Sequence, residues 1–146
     1  MFAVDTNVLV YAANTKAPEH PRCRERLAAW IAQAGPWYTT WSVLYEFLRV
    51  ATHPRVHARP LTTAQAWRFV EALLASPSLG ILDHTPRHAE VAAGILAEVS
   101  GLRGNLLHDA HTAVLMREHG ISRIYTRDGD FRRFPFLTVL DPLADD

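Results

Sequence analysis

Cysteine is nearly missing from this chain: Cys23 stands alone in 146 residues. A single thiol excludes an intramolecular disulfide and any Cys-x-x-Cys zinc or redox motif, and it suits a reducing compartment. Lysine is equally scarce, with Lys16 the one lysine among 15 basic residues. Positive charge therefore rests on arginine, whose planar fork grips phosphate or carboxylate through paired hydrogen bonds; a genomic base-composition bias accounts for the same preference without any function. Net charge is absent too, since 15 acidic residues cancel the 15 basic ones. That excludes a polycationic nucleic-acid binder, although charge can still be segregated by face. No run reaches the ~18 apolar residues of a membrane span. The opening Met1-Phe2-Ala3-Val4-Asp5 has neither a basic stretch nor a long apolar one, so a soluble, unexported, cytoplasmic protein is expected. What the chain does have is apolar content, 49% of 146 residues. That suits one domain over residues 1–146 with a substantial core.

Short apolar runs alternate with longer segments of helical period, the pattern of an α/β domain of three layers, a mostly parallel central β-sheet flanked by helices. Strands are expected at Phe2 to Val4, Trp37 to Thr39, Leu79 to Leu82, Arg123 to Tyr125 and Thr138 to Leu140. Helices are expected over Pro21 to Gln33, then over Trp41 to Ala51 behind a Thr40 cap. A capping box of Thr62 and Gln65 announces Ala66 to Ala75. Thr85-Pro86 offers a cap and a first-turn proline for a helix reaching Val99. Asn105 is placed to cap Leu106 to His119, with Gly120 as the residue that ends it.

The acids fall at related places on this map. Asp5 and Asp128 follow the first and fourth expected strands, where open α/β sheets build their sites. Asp109 lies in the first turn of its helix, and Glu46 interrupts an apolar helical segment between Tyr45 and Phe47. Ionised carboxylates in apolar surroundings need a compensating cation, and hard divalent ions prefer oxygen ligands, so Mg²⁺ or Mn²⁺ is the expected partner of one acidic pocket built from distant sequence. Each residue also has a plainer reading. Asp5-Thr6-Asn7 is a good N-cap, Asp109 complements a helix dipole, Glu46 has Arg49 at i,i+3, and Asp128-Gly129-Asp130 is a turn. Asp130 is read as a turn or capping residue and left out of the pocket.

Asp5-Thr6-Asn7 after an N-terminal strand, the helical Glu46, Leu107-His108-Asp109-Ala110 and Thr126-Arg127-Asp128-Gly129-Asp130-Phe131 together resemble the PIN-domain nucleases over essentially the whole chain. The likeness is greatest to the VapC-type ribonuclease toxins of toxin–antitoxin pairs. The resemblance implies a metal-dependent endoribonuclease. In it Asp5, Glu46, Asp109 and Asp128 form an acidic quartet holding one or two Mg²⁺ or Mn²⁺ ions, with Thr6, Asn7 and Thr126 as supporting polar residues. It also implies an RNA substrate (tRNA, rRNA or mRNA) and a small antitoxin protein as partner.

His111 is expected beside a carboxylate or the scissile phosphate. His108 and His111, at i,i+3, supply only part of a zinc ligand set. His20, His53, His57, His84 and His88 are read as solvated or capping residues. Arg49 and Arg127 are the leading candidates for RNA contact, with Trp41 and Tyr45 as stacking faces or, by their spacing, as core or homodimer contacts. A non-catalytic PIN-fold module that binds RNA or protein is the alternative of a different class. A phosphatase using Asp5 as nucleophile is another, though its usual second acid is replaced by Asn7.

Overall fold

The computed structural model describes residues 1–145. Its strands are β1 (Ala3–Val4), β2 (Trp37–Thr40), β3 (Leu79–Leu82), β4 (Arg123–Tyr125) and β5 (Thr138–Leu140). Its helices are α1 (Thr6–Ala13), α2 (His20–Ala32), α3 (Trp41–Ala51), α4 (Thr63–Leu74), α5 (His88–Glu98) and α6 (Leu106–Glu118). The five strands form one all-parallel sheet in the order β3-β2-β1-β4-β5. The chain winds outward from β1 to β3, then crosses to β4 on the other side of β1. This reversal opens a crevice at the carboxyl ends of β1 and β4.

Strand alternation divides the core between the two faces of the sheet. Val4, Trp37 and Tyr125 pack with α1 to α4, whereas Ala3, Leu82 and Ile124 pack with α5, α6 and Phe131. The three expected layers are therefore present. The largest buried side chains are Trp37 and Phe47, on the α1–α4 face, and Phe131 and Phe134 on the other. No described helix is long and apolar enough to cross a membrane.

Local signals account for most helix ends. Thr40 caps α3 by accepting from the Val43 N–H at 3.1 Å, and the Thr62–Gln65 capping box starts α4 at Thr63, a turn ahead of the expected Ala66. Gly120 takes φ +68° after α6, the left-handed conformation that ends a helix at least cost to glycine. Two expected caps are corrected. Asn105 makes no side-chain cap to α6. Thr85 does not begin α5, which starts at His88 behind Arg87. The Thr85 hydroxyl and N–H both donate to the Glu118 carboxylate, at 2.6 and 2.9 Å, and the hydroxyl accepts from the Arg87 N–H at 3.2 Å, so Thr85 closes a turn that precedes the helix.

Candidate active site

Asp5 sits where β1 hands over to α1, in the crevice between β1 and β4. Its Oδ1 accepts from the Thr6 N–H at 2.7 Å, so the carboxylate is also the N-cap of α1; the plain reading and the functional one coexist. Its Oδ2 accepts from the Asn7 amide and the Thr126 hydroxyl, both at 2.7 Å. Thr126, directly after β4, is saturated: while donating to Asp5 it accepts from Asn7 Nδ2 and from the Asp128 N–H, each at 2.9 Å. Asn7 completes the bracket by accepting from the Arg127 N–H at 3.1 Å. Residues some 120 positions apart thus fix one carboxylate in one orientation.

Around it stand the other acids. The Thr6 hydroxyl donates to Glu46 Oε2 at 3.0 Å, tying α3 to the site. Asp128 accepts from the Asp130 N–H at 2.8 Å and starts a 3₁₀ turn over Gly129–Arg133. That turn carries Asp130 back toward α6, and carboxylate oxygens of Asp109, Asp128 and Asp130 all lie within 4.8 Å of one another. Asp130, left out on sequence grounds, therefore belongs to the cluster. The signal was its i,i+2 spacing from Asp128 across a glycine, which a tight turn folds onto one side.

Electrostatics give the cluster its chemistry. Burial pushes the Asp5 carboxyl up to about 6 against the lowering effect of its donors, with Glu46 and Asp128 adding to the rise. Asp109 is pushed up to about 7 by burial and then by the charges of Asp128, Asp5, Asp130 and Glu46. Carboxylates crowded until two of them resist ionisation form an oxygen-only donor set that fits a hard divalent cation, since only added positive charge relieves both burial and mutual repulsion.

Several expected placements are corrected. Of the quartet, only Asp5 is buried; Asp109 and Asp128 are half-buried, and the Glu46 side chain is 46% exposed and ion-paired to Arg49 at 3.3 Å. Glu46 thus lies at the rim, and the apolar helix around it reflects the opposite face of α3. His111 instead accepts from or donates to the Ser42 hydroxyl at 3.1 Å and stands edge-on to His88. Arg127 pairs with Glu19 at 3.0 Å and approaches Asp141 at 3.7 Å. Trp41 and Tyr45 are exposed rather than core residues, tilted against each other on α3.

The PIN domain profile matches residues 2–137. The chain belongs to the PIN-domain family. Among the relatives of this PIN domain, Ribonuclease VapC48 of Mycobacterium tuberculosis is 33% identical over 96% of this chain and 96% of its own. Ribonuclease VapC33 of the same organism is 36% identical over 99% of this chain and all of its own. The fold matches Mycobacterium tuberculosis VapC20, a sarcin-ricin-loop-cleaving toxin, with a TM-score of 0.65 and 23% identity over 90% of this chain and 93% of that one. It also matches VapBC2 of Rickettsia felis bound to a promoter DNA fragment, with a TM-score of 0.69 and 17% identity over 96% and 97% of the two chains. In this PIN domain the acidic cluster occupies the β1–β4 crevice.

Proposed function

We propose that this PIN domain is a metal-dependent endoribonuclease, the toxin of a VapBC-type pair, working in the cytoplasm. The observation that carries the reading is the clustering of Asp109, Asp128 and Asp130 near enough to Asp5 for their charges to act on one another, with Asp5 and Asp109 held above the usual carboxylate range. Relatives named ribonucleases along nearly the full chain support it.

Asp5 and Asp109 would hold Mg²⁺, for which Mn²⁺ can substitute, with Asp128, Asp130 and Glu46 sharing coordination and the positioning of water. Such an ion supplies a water of lowered pKa and neutralises charge growing on the phosphate. Thr126 and Asn7 keep the Asp5 oxygens aimed into the crevice, and Thr6 holds Glu46 at its rim. Arg49, beside Glu46 and 65% exposed in its side chain, is placed to meet an RNA phosphate. A small antitoxin is the proposed partner, supported by structural neighbours that are VapBC complexes. The exposed Trp41–Tyr45 pair supports a homodimer.

The test is cleavage of total cellular RNA by wild type and Asp5→Asn, each with Mg²⁺, with Mn²⁺ and with EDTA, read by end mapping. Discrete wild-type cuts lost in EDTA and reduced at least about 100-fold in the variant are expected. Cutting that survives EDTA, or that the variant retains, overturns the carboxylate mechanism.

A further inference from the structure

A cavity of about 200 Å³ opens where the C-terminal ends of α1 and α3 meet the 52–62 connection that follows α3. Val10 and Ala13 of α1 and Ala51 of α3 give it an apolar floor, whereas Lys16 and Arg59 give it a cationic rim. None of the described residues that line it is acidic. Several surface arginines are neutralised where they stand: Arg49, Arg87, Arg117 and Arg133 each pair with a carboxylate. Lys16 and Arg59 are exposed, and neither side chain has an ion-pair partner among the described residues. Two uncompensated cations over an apolar floor suit an anion that carries an apolar part.

Two further lining residues, Asn14 and His57, hold each other in place. Asn14 Oδ1 accepts from the Lys16 N–H at 3.1 Å, which turns its amide nitrogen to His57 Nδ1 at 3.3 Å. The imidazole therefore accepts at Nδ1 and carries its proton on Nε2 when neutral, so His57 Nε2–H and the second Asn14 N–H remain as donors. Such donors match the carbonyl oxygens and ring nitrogens of a nucleobase. The volume falls below the about 300–1,000 Å³ of sites that enclose a whole small-molecule ligand, and it suits a single planar base. The cavity also continues from the acidic crevice. α1 and α3 pack along a seam whose crevice end is the Thr6 hydroxyl, donating to the Val43 carbonyl and Glu46 Oε2 at 3.5 and 3.0 Å. Val10 stands four residues beyond Thr6 and Ala51 five beyond Glu46, about 6 and 7.5 Å along their helix axes. Arg49 lies on α3 between Glu46 and Ala51.

We propose that this cavity receives one unpaired base of the RNA strand whose backbone enters the acidic crevice, with Lys16 and Arg59 on the adjoining phosphates; the inference rests on the ribonuclease reading. Single strands are held in this way, by bases splayed onto apolar surface and cations along the backbone. An acidic peptide would also meet the two cations. The seam that leads from the cavity to the acids favours RNA, because a strand gripped at one end and cut at the other has to follow it. Duplex RNA, with its bases stacked and paired, does not enter.

The experiment measures fluorescence anisotropy of the full-length protein in EDTA with labelled probes of equal length: oligoadenylate, oligouridylate, a base-free ribose-phosphate chain and oligoglutamate. Wild type should bind at least one of the two RNAs about 10-fold more tightly than the base-free chain. Ala13→Phe, which fills the cavity, should remove that difference. Lys16→Ala/Arg59→Ala should weaken all three nucleic-acid probes and flatten the dependence of log K on log salt by about 1.4, the share of two phosphate contacts on a single strand. Arg24→Ala/Arg68→Ala, which removes two charges that do not line the cavity, should leave that slope unchanged. Circular dichroism verifies folding of Ala13→Phe, and Lys16 and Arg59, being exposed, are removable without touching the core. Equal binding of base-bearing and base-free chains by wild type, a difference that Ala13→Phe retains, or an unchanged slope in Lys16→Ala/Arg59→Ala overturns the proposal. So does tight binding of oligoglutamate, in place of RNA, that the same two substitutions abolish. The ribonuclease reading fails by a separate sign, cutting that survives EDTA or that Asp5→Asn retains.

Discussion

Removing metal should make this protein less stable as pH rises, and Asp5 sets the size of the effect. Its carboxyl is 6% exposed as a residue and moves from an ordinary value of 3.8 to about 6 in the fold. A rise of about two in pKa corresponds to about 3 kcal/mol between the protonated and ionised native states. The sign follows from proton counting. Between pH 4 and 6 the unfolded chain has released this proton and the native chain retains it, so stability is fully present below about pH 4 and lost as pH climbs through about 6. Asp109, raised to about 7, extends the loss to neutral pH, with a smaller effect than its shift suggests because it is only half-buried and water screens it. His111, lowered chiefly by burial, acts in the opposite direction, losing stability as pH falls. The measurement is therefore a difference: urea unfolding of wild type and Asp5→Asn in EDTA from pH 4 to 8. Subtraction cancels His111 and the groups that do not sense Asp5, while Asp109, whose rise Asp5 contributes to, adds to the difference in the same direction. The amide that replaces the carboxyl in the variant does not titrate, so wild type should lose about 2–3 kcal/mol relative to it across that range. Saturating Mn²⁺ should reverse the wild-type slope, since the ion favours the ionised carboxylates. A flat difference curve in EDTA, or one in which wild type gains with pH, refutes the assignment of Asp5 as a carboxyl held protonated by burial.

Other outcomes follow from single contacts. Thr126→Val removes a donor to Asp5 and the acceptor shared by Asn7 and Asp128. It should weaken Mn²⁺ binding about 10–100-fold and cost about 1–3 kcal/mol in unfolding, with Thr126→Ser restoring most of both. Asp130→Asn should weaken Mn²⁺ binding at least about 10-fold by calorimetry if the carboxylate acts in the cluster; an unchanged affinity returns Asp130 to a turn residue. Ser78→Ala strands the buried Trp37 indole N–H, which donates to the Ser78 hydroxyl at 3.1 Å, and should cost about 1–3 kcal/mol in urea unfolding with no change in metal affinity.

The sheet was readable because its strands are short apolar runs bounded by turn residues, and all five lie within a residue of their expected limits. Capping was readable where the hydroxyl's partner N–H lies three residues on, as at Thr40 and Thr62. It failed at Thr85, whose partner Glu118 lies 33 residues away; no local pattern encodes a tertiary acceptor. The same limit hid the setting of His88, which reads as a solvated residue until α6 brings Glu118 and His111 beside it. Asp5, Asp109 and Asp128 were legible from their places at strand and helix ends. The burial of Glu46 was overread because apolar neighbours in sequence occupy the other face of its helix.

The bond from Thr126 to Asp5 spans 121 positions. An N-terminal fragment ending before β4 therefore carries Asp5 with Thr6 and Asn7 but without the Thr126 hydroxyl that completes its bracket, and without Asp128 or Asp130. During synthesis the crevice stays unassembled until β4 has emerged and slotted in beside β1, after more than four-fifths of the chain is made. A polypeptide built this way acquires its acidic centre in one late docking event.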